Sequence, residues 1–182
     1  MKAQIARVAE EVGHLARQLE AVVTTVESCT GGLIAGAITD IAGSSQWFER
    51  GYVTYANEAK CEMVNVSAAS VQRYGAVSQT VVEEMVEGGC RQSGAAIGVA
   101  VSGVAGPGGG GADKPVGTVW IAWGEVDQVF AHRFWFKGDR ADIRQASVLA
   151  ALQGLRAWLT LRLHDEADIV AAMKKKYAAA LQ

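Results

Sequence analysis

Thr24-Thr25-Val26-Glu27-Ser28-Cys29-Thr30-Gly31-Gly32 is the stretch on which the fold turns. A β-branched run enters a short polar turn, two glycines follow, and Leu33-Ile34-Ala35-Gly36-Ala37-Ile38 opens a helical pattern. The order is strand, turn, helix N-terminus. A helix start leaves backbone N–H groups unpaired and carries partial positive charge. A hydroxyl beside those groups suits attack on a carbonyl and holding of the oxyanion that results. Ser and Thr are also ordinary N-cap residues. Ser28 is therefore either a nucleophile or a cap, and the rest of the chain has to decide.

Outward from that turn, strands and helices alternate. Ile5, Val8, Val12, Leu15 and Leu19 predict an amphipathic helix over roughly residues 3–20. Residues 21–26 read as a buried strand, and the helix after Gly32 is expected to end near Gly43. Gly51 to Ala56 has strand composition, with Asn57 as cap of the helix that follows. Ser67 and Ser78 are further caps, and the pair Gly88-Gly89 is expected to weaken the second of their helices. Residues 95–101 form an apolar central strand, followed by a glycine-rich loop from Ser102 to Pro115. Residues 117–123 and 129–136 form an antiparallel hairpin. Asp139 caps a long helix through Leu159, and Ile169, Val170, Met173, Tyr177 and Leu181 share a face of a last one. The fold class is α/β: a single three-layer α/β/α domain with a mixed sheet over residues 1–163, and a helical extension over 164–182.

Half of the 182 residues are hydrophobic and a fifth are charged, a globular composition with a sizeable core. Seventeen basic residues stand against nineteen acidic ones, which supplies no whole-molecule attraction to nucleic acid. Cys29, Cys61 and Cys90, with His14, His132 and His164, show no metal-ligand spacing and no disulfide framework. The expectation is a cytoplasmic protein with no membrane span and no metal.

A serine nucleophile needs a base, and no histidine sits in a placed polar motif. A lysine serves only when neutral. At its ordinary pKa, roughly one lysine in a few thousand is neutral at pH 7, and bringing that pKa near 7 takes about 4–5 kcal/mol. Burial against apolar walls supplies this. Lys60, at a helix start after an aromatic strand, is the candidate, against the common alternative of a solvated lysine. Tyr55 is a proton relay between Ser28 and Lys60 or a wall aromatic; Ser45 is a second hydroxyl or, on residue type, rather a cap. Ser102-Gly103 and Ala105-Gly106 end the central strand, where α/β ligands bind. The loop matches neither the P-loop nor the dinucleotide pattern. Arg140 suits a bidentate contact to phosphate or carboxylate, or a surface ion pair.

ESCTGG at Glu27–Gly32, TDIAGSSQWFERGYVTYANEAK at Thr39–Lys60, SGVAGPGGG at Ser102–Gly110, KPVGTVW at Lys114–Trp120 and GDR at Gly138–Arg140 follow one another in order. With them the chain resembles the CinA C-terminal family, most of all its stand-alone nicotinamide-nucleotide amidohydrolases, over roughly residues 5–162. The resemblance implies hydrolysis of the carboxamide of nicotinamide mononucleotide to nicotinate mononucleotide and ammonia, without metal or organic cofactor. It assigns the nucleophile to Ser28, the lysine to Lys60, the tyrosine to Tyr55 and an accessory serine to Ser45. It implies substrate contacts at Thr30, Gly31, Gly32, Ala105, Gly106 and Arg140, with the oxyanion held near Thr30 to Gly32. It further implies a homodimer or higher homo-oligomer, and no activity from the pyrophosphatase-like domain of longer relatives. The alternatives are a nucleotide-binding or regulatory module without turnover, and an amidase for another nucleotide amide.

Overall fold

The computed structural model describes residues 1–179. Its elements run α1 (Lys2–Gln18), β1 (Val23–Glu27), α2 (Leu33–Thr39), a 3₁₀ turn (Ser44–Gln46), β2 (Phe48–Val53), α3 (Asn57–Val64), α4 (Ala68–Tyr74) and α5 (Gln79–Ser93). Then come β3 (Ile97–Gly103), β4 (Thr118–Gly124), β5 (Val129–Trp135), α6 (Arg140–Leu163) and α7 (Ile169–Ala179). The five strands form one sheet in the order β2-β1-β3-β4-β5. β1 pairs in parallel with β2 and β3, whereas β4 runs antiparallel to both β3 and β5. The fold is the three-layer α/β/α domain with a mixed sheet. Among the described residues no helix is long and apolar enough to cross a membrane.

The two sheet faces carry separate cores. Val23, Ile97, Val99, Ile121 and Trp123 pack with α1, α2, α6 and α7, while Val26, Ala100 and Ala122 pack with α3 and α5. The chain leaves β1 through α2 on the first face and returns from β2 to β3 through helices on the second. The carboxyl ends of β1 and β3 therefore open a crevice at the reversal of strand order, the position at which open α/β sheets bind ligands.

Two local outcomes differ from the sequence expectation, and a third concerns what a glycine pair is for. β2 begins at Phe48 and ends at Val53, so residues 54–56 are not strand; Thr54 N–H still donates to Glu27 O at 2.8 Å, and the chain then turns. Asn57 is the first residue of α3 rather than its cap: Ala56 holds the cap position without a side-chain bond. Gly88 and Gly89 do not end α5, which runs on to Ser93. A Cβ on Gly88 would stand 1.7 Å from Val64 O, and one on Gly89 2.5 Å from Val26 Cγ2. These glycines let α5 lie directly on the end of α3 and on β1. Ser67 and Ser78 do cap α4 and α5, accepting from Ser70 N–H and Val81 N–H, and Asp139 with Asp142 forms a capping box on α6.

α7 closes the far end of the sheet. Tyr177 stacks on Trp123 with ring centroids 5.3 Å apart and lies 4.9 Å from His132, while Met173 is fully buried. Burial among these rings lowers the His132 pKa. Leu181, assigned to the same helix face, lies outside the described residues.

The glycine contacts make opposite predictions within one fold. Gly88→Ala forces a methyl group onto a backbone carbonyl and is expected to destabilise the protein by about 3 kcal/mol. Gly36→Ala, with nothing within 4 Å of the new Cβ, is expected to stabilise it by about 0.5–1 kcal/mol. Urea unfolding of the two variants measures both.

Candidate active site

Ser28 follows β1 directly and is held by its neighbours. Its N–H donates to Val101 O of β3 at 2.9 Å, and its carbonyl accepts from Gly31 N–H at 3.0 Å. The preceding residue, Glu27, is almost wholly buried, and its carboxylate caps α2 from outside the helix. Oε2 accepts from Gly32 N–H and Ile34 N–H, both at 3.0 Å, and Oε1 accepts from Ala35 N–H at 2.8 Å. The sequence left Ser28 with two readings, and the second is filled by another group: Glu27, not Ser28, satisfies the helix N-terminus. The Ser28 hydroxyl is left to its contact with Lys60.

Lys60 enters from α3 with 1% of its surface exposed. Its Nζ lies 3.3 Å from Ser28 Oγ and donates to Thr54 O at 2.8 Å. Tyr55 O and Ala56 O stand slightly farther away, each at 3.4 Å. Among the described residues no carboxylate forms an ion pair with it. Burial lowers its pKa below the ordinary lysine value of 10.5 because the charged form loses its hydration. A neutral amine has two hydrogens and one lone pair. In that form the carbonyl cluster would take the hydrogens and leave the lone pair facing the Ser28 hydroxyl. The early end of β2 is the cause of this arrangement. Carbonyls 54–56 turn towards Lys60 instead of continuing the strand ladder.

These groups face a cavity of about 240 Å³ lined by Ser28, Cys29, Tyr55, Asn57, Lys60 and the β3 end at Ser102–Gly103, among others. Arg140 and Ala105 stand between it and an adjoining cleft formed by Gly106, Gly138 and Arg144. Arg140 Nη1 donates to Gly106 O at 2.7 Å and Nη2 to Tyr55 Oη at 2.9 Å. The Tyr55 hydroxyl thus sits at the cavity mouth on Arg140, and Lys60 meets Ser28 without a tyrosine between them. Ser45 lies in the 3₁₀ turn that precedes β2, exposed, at the opposite end of the strand from Thr54. It does not line the cavity. Gly31 and Gly32 belong to the Ser28 turn, but their N–H groups are spent on Ser28 O and Glu27. Cys29 is buried beside Ser28, and burial pushes its thiol up to about 11.

Two residues escaped the sequence reading. Asn57 has the residue type of a helix cap, yet it lines the cavity. Arg144 was not singled out at all, and it bonds to the turn from α6: Nε donates to Cys29 O and Nη2 to Thr30 O, each at 3.0 Å. Its spacing of four from Arg140 puts both on one helix face, which was the available signal.

The chain matches the CinA C-terminal domain over residues 5–159. It belongs to that family. The nicotinamide-nucleotide amidohydrolase PncC of Pseudomonas putida is 54% identical over 151 residues, covering 83% of this chain and 94% of that one. The protein of the same name from Escherichia coli K12 is 47% identical over 153 residues, 84% of this chain and 93% of that one. Among solved structures, the competence/damage inducible protein CihA of Agrobacterium tumefaciens superposes with a TM-score of 0.83 at 43% identity, covering 86% of this chain and 96% of that one. The family match stops before α7, which packs on the core through Tyr177 and Met173.

The buried amine sets a pH dependence of stability. A lysine with a lowered folded-state pKa binds fewer protons folded than unfolded between its two pKa values. Stability therefore rises with pH across that window and levels off near the unfolded value of 10.5. Chemical denaturation of the wild type against pH should show this rise, and Lys60→Met should remove it.

Proposed function

We propose that this protein hydrolyses the carboxamide of nicotinamide mononucleotide to nicotinate mononucleotide and ammonia, with Ser28 as nucleophile and Lys60 as its base. The contact that carries the reading is the buried Lys60 amine 3.3 Å from Ser28 Oγ. The substrate class is supported by the names of relatives that match nearly end to end.

Neutral Lys60 takes the Ser28 proton as Oγ attacks the carboxamide carbon. Backbone N–H groups of the turn hold the negative oxygen. Lys60 returns the proton to the departing nitrogen, and ammonia leaves an acyl-enzyme. Water then attacks the ester carbon, giving its proton to Lys60, and Ser28 is restored as the carboxylate leaves. The cycle calls for no metal or organic cofactor. Arg140, Ala105 and Gly106 grip the 5′-phosphate, the guanidinium exchanging a neutral carbonyl for an anion. Tyr55 serves at this mouth through its hydroxyl and at the base through its carbonyl. The three free cysteines suit the cytoplasm. The working form is a homodimer, as the family resemblance implies, and residues 164–179 are an addition to a catalytic domain of residues 1–163.

Ammonia release from nicotinamide mononucleotide tests the reading. Ser28→Ala and Lys60→Ala proteins that remain folded should lose at least about 10³-fold in kcat. The wild-type rate should rise with pH through the lowered Lys60 pKa. Full activity in either variant would remove that residue from the mechanism, and saturable nucleotide binding without ammonia would favour a regulatory module.

A further inference from the structure

The backbone around the nucleophile leaves a short remainder when its donors are counted. Ser28 N–H goes to Val101 O, Gly31 N–H to Ser28 O, and Gly32 N–H to Glu27. Thr30 N–H has no hydrogen-bond partner among the described residues. Cys29 N–H likewise has no hydrogen-bond partner on another residue among the described residues. Buried backbone donors are rarely left without a partner unless something else uses them. The matching carbonyls both accept from a single side chain: Arg144 grips Cys29 O and Thr30 O, the latter also accepting from Leu33 N–H at 3.3 Å.

The geometry of the peptide bond joins these facts. In a trans peptide the C=O and the following N–H lie in one plane and point in opposite directions. Cys29 O and Thr30 N–H share such a plane. With the oxygen drawn towards Arg144, the N–H is turned to the other side. Arg144 lines the adjoining cleft and not the cavity that holds Ser28 and Lys60; of the turn, Ser28 and Cys29 line that cavity, and Thr30 is fully buried next to them.

We propose that Thr30 N–H, with Cys29 N–H beside it, receives the oxyanion formed at Ser28, and that Arg144 is the positioning residue that aims it. This rests on Ser28 being the nucleophile of the amidase reading. Arg144 touches no reacting atom. It acts through the 29–30 peptide, and its planar fork holds two carbonyls at once, which a lysine ammonium does not reproduce. Donors preset where charge develops act on the transition state and little on the bound substrate.

The test uses the full chain with Arg144→Lys and Arg144→Ala and two substrates. Ammonia release from nicotinamide mononucleotide reports the amidase. Release of p-nitrophenol from p-nitrophenyl nicotinate reports acylation of Ser28 without dependence on the nucleotide. In Arg144→Ala, kcat should fall about 10²-fold or more with KM within about threefold of wild type. Millimolar guanidinium should restore at least about tenfold, and methylammonium should not. The inhibition constant of 3-pyridylboronic acid, which forms a tetrahedral adduct on serine, should rise in proportion to the loss in kcat/KM. Should Arg144→Ala fail to fold, Arg144→Lys is read by the same kcat, KM and boronate criteria. The proposal is overturned by kcat within about threefold of wild type, by a loss confined to KM, or by a fall in kcat with boronate affinity unchanged. A wild type that is acylated by the ester yet releases no ammonia overturns the amidase reading alone, with the Arg144 effect still read on the ester. A wild type inert to both substrates overturns both.

Discussion

A lysine amine buried without an ion-pairing carboxylate among the described residues is the constraint on which this structure depends. Lys60 is 1% exposed, and its hydrogen-bond partners among the described residues are a serine hydroxyl and three backbone carbonyls. Carbonyl dipoles favour the charged form, and burial opposes it; the lowered pKa shows that burial dominates. Several otherwise unrelated features serve that balance. β2 stops at Val53 so that carbonyls 54–56 turn inward. α3 starts at once, which places Lys60 under the turn. α5 then presses on the end of α3 at Val64 through Gly88, where no side chain would fit. A looser α5 would admit water beside α3 and weaken the desolvation that lowers the pKa of the amine.

The second organising element is α6, which reaches the site from behind. Arg140 and Arg144 stand one turn apart on its first two turns. The outer one bridges Tyr55 and Gly106 at the mouth, while the inner one holds the carbonyls of the Ser28 turn. A helix held by its own capping box and by Ile143, Val148 and Leu152 in the core is a rigid mount for both. Glu27 completes the arrangement from the other side. By taking three N–H groups of α2 and its approach, it removes the helix start from competition for the Ser28 hydroxyl. The chain thus divides the duties that a single capping serine would have combined.

What could be read from the residues follows from the range of the forces involved. The α/β architecture was legible because apolar periodicity, serine caps and turn glycines are local, and most elements lie within a few residues of expectation. The misplacements have nonlocal causes. Residues 54–56 look like strand because of Tyr55 and the β-branched Thr54, but their carbonyls are drawn to a side chain several residues on. Gly88 and Gly89 look like helix breakers, and the contacts that require them come from Val64 and Val26.

The sequence by itself determined the strand–turn–helix around Ser28, the alternation that builds three layers, and the short roster of residues able to do chemistry. It also carried the family, because long motifs in fixed order are rarely accidental. Only the tertiary structure decided which members of that roster meet. It brought Lys60 to Ser28, moved the Tyr55 hydroxyl out to Arg140, left Ser45 at the other end of β2, and assigned the cap to Glu27. It added Arg144, more than a hundred residues from the turn it holds. The reason is that propensity and periodicity act over a few residues, whereas burial and hydrogen bonding are settled by whatever the packed layers bring together.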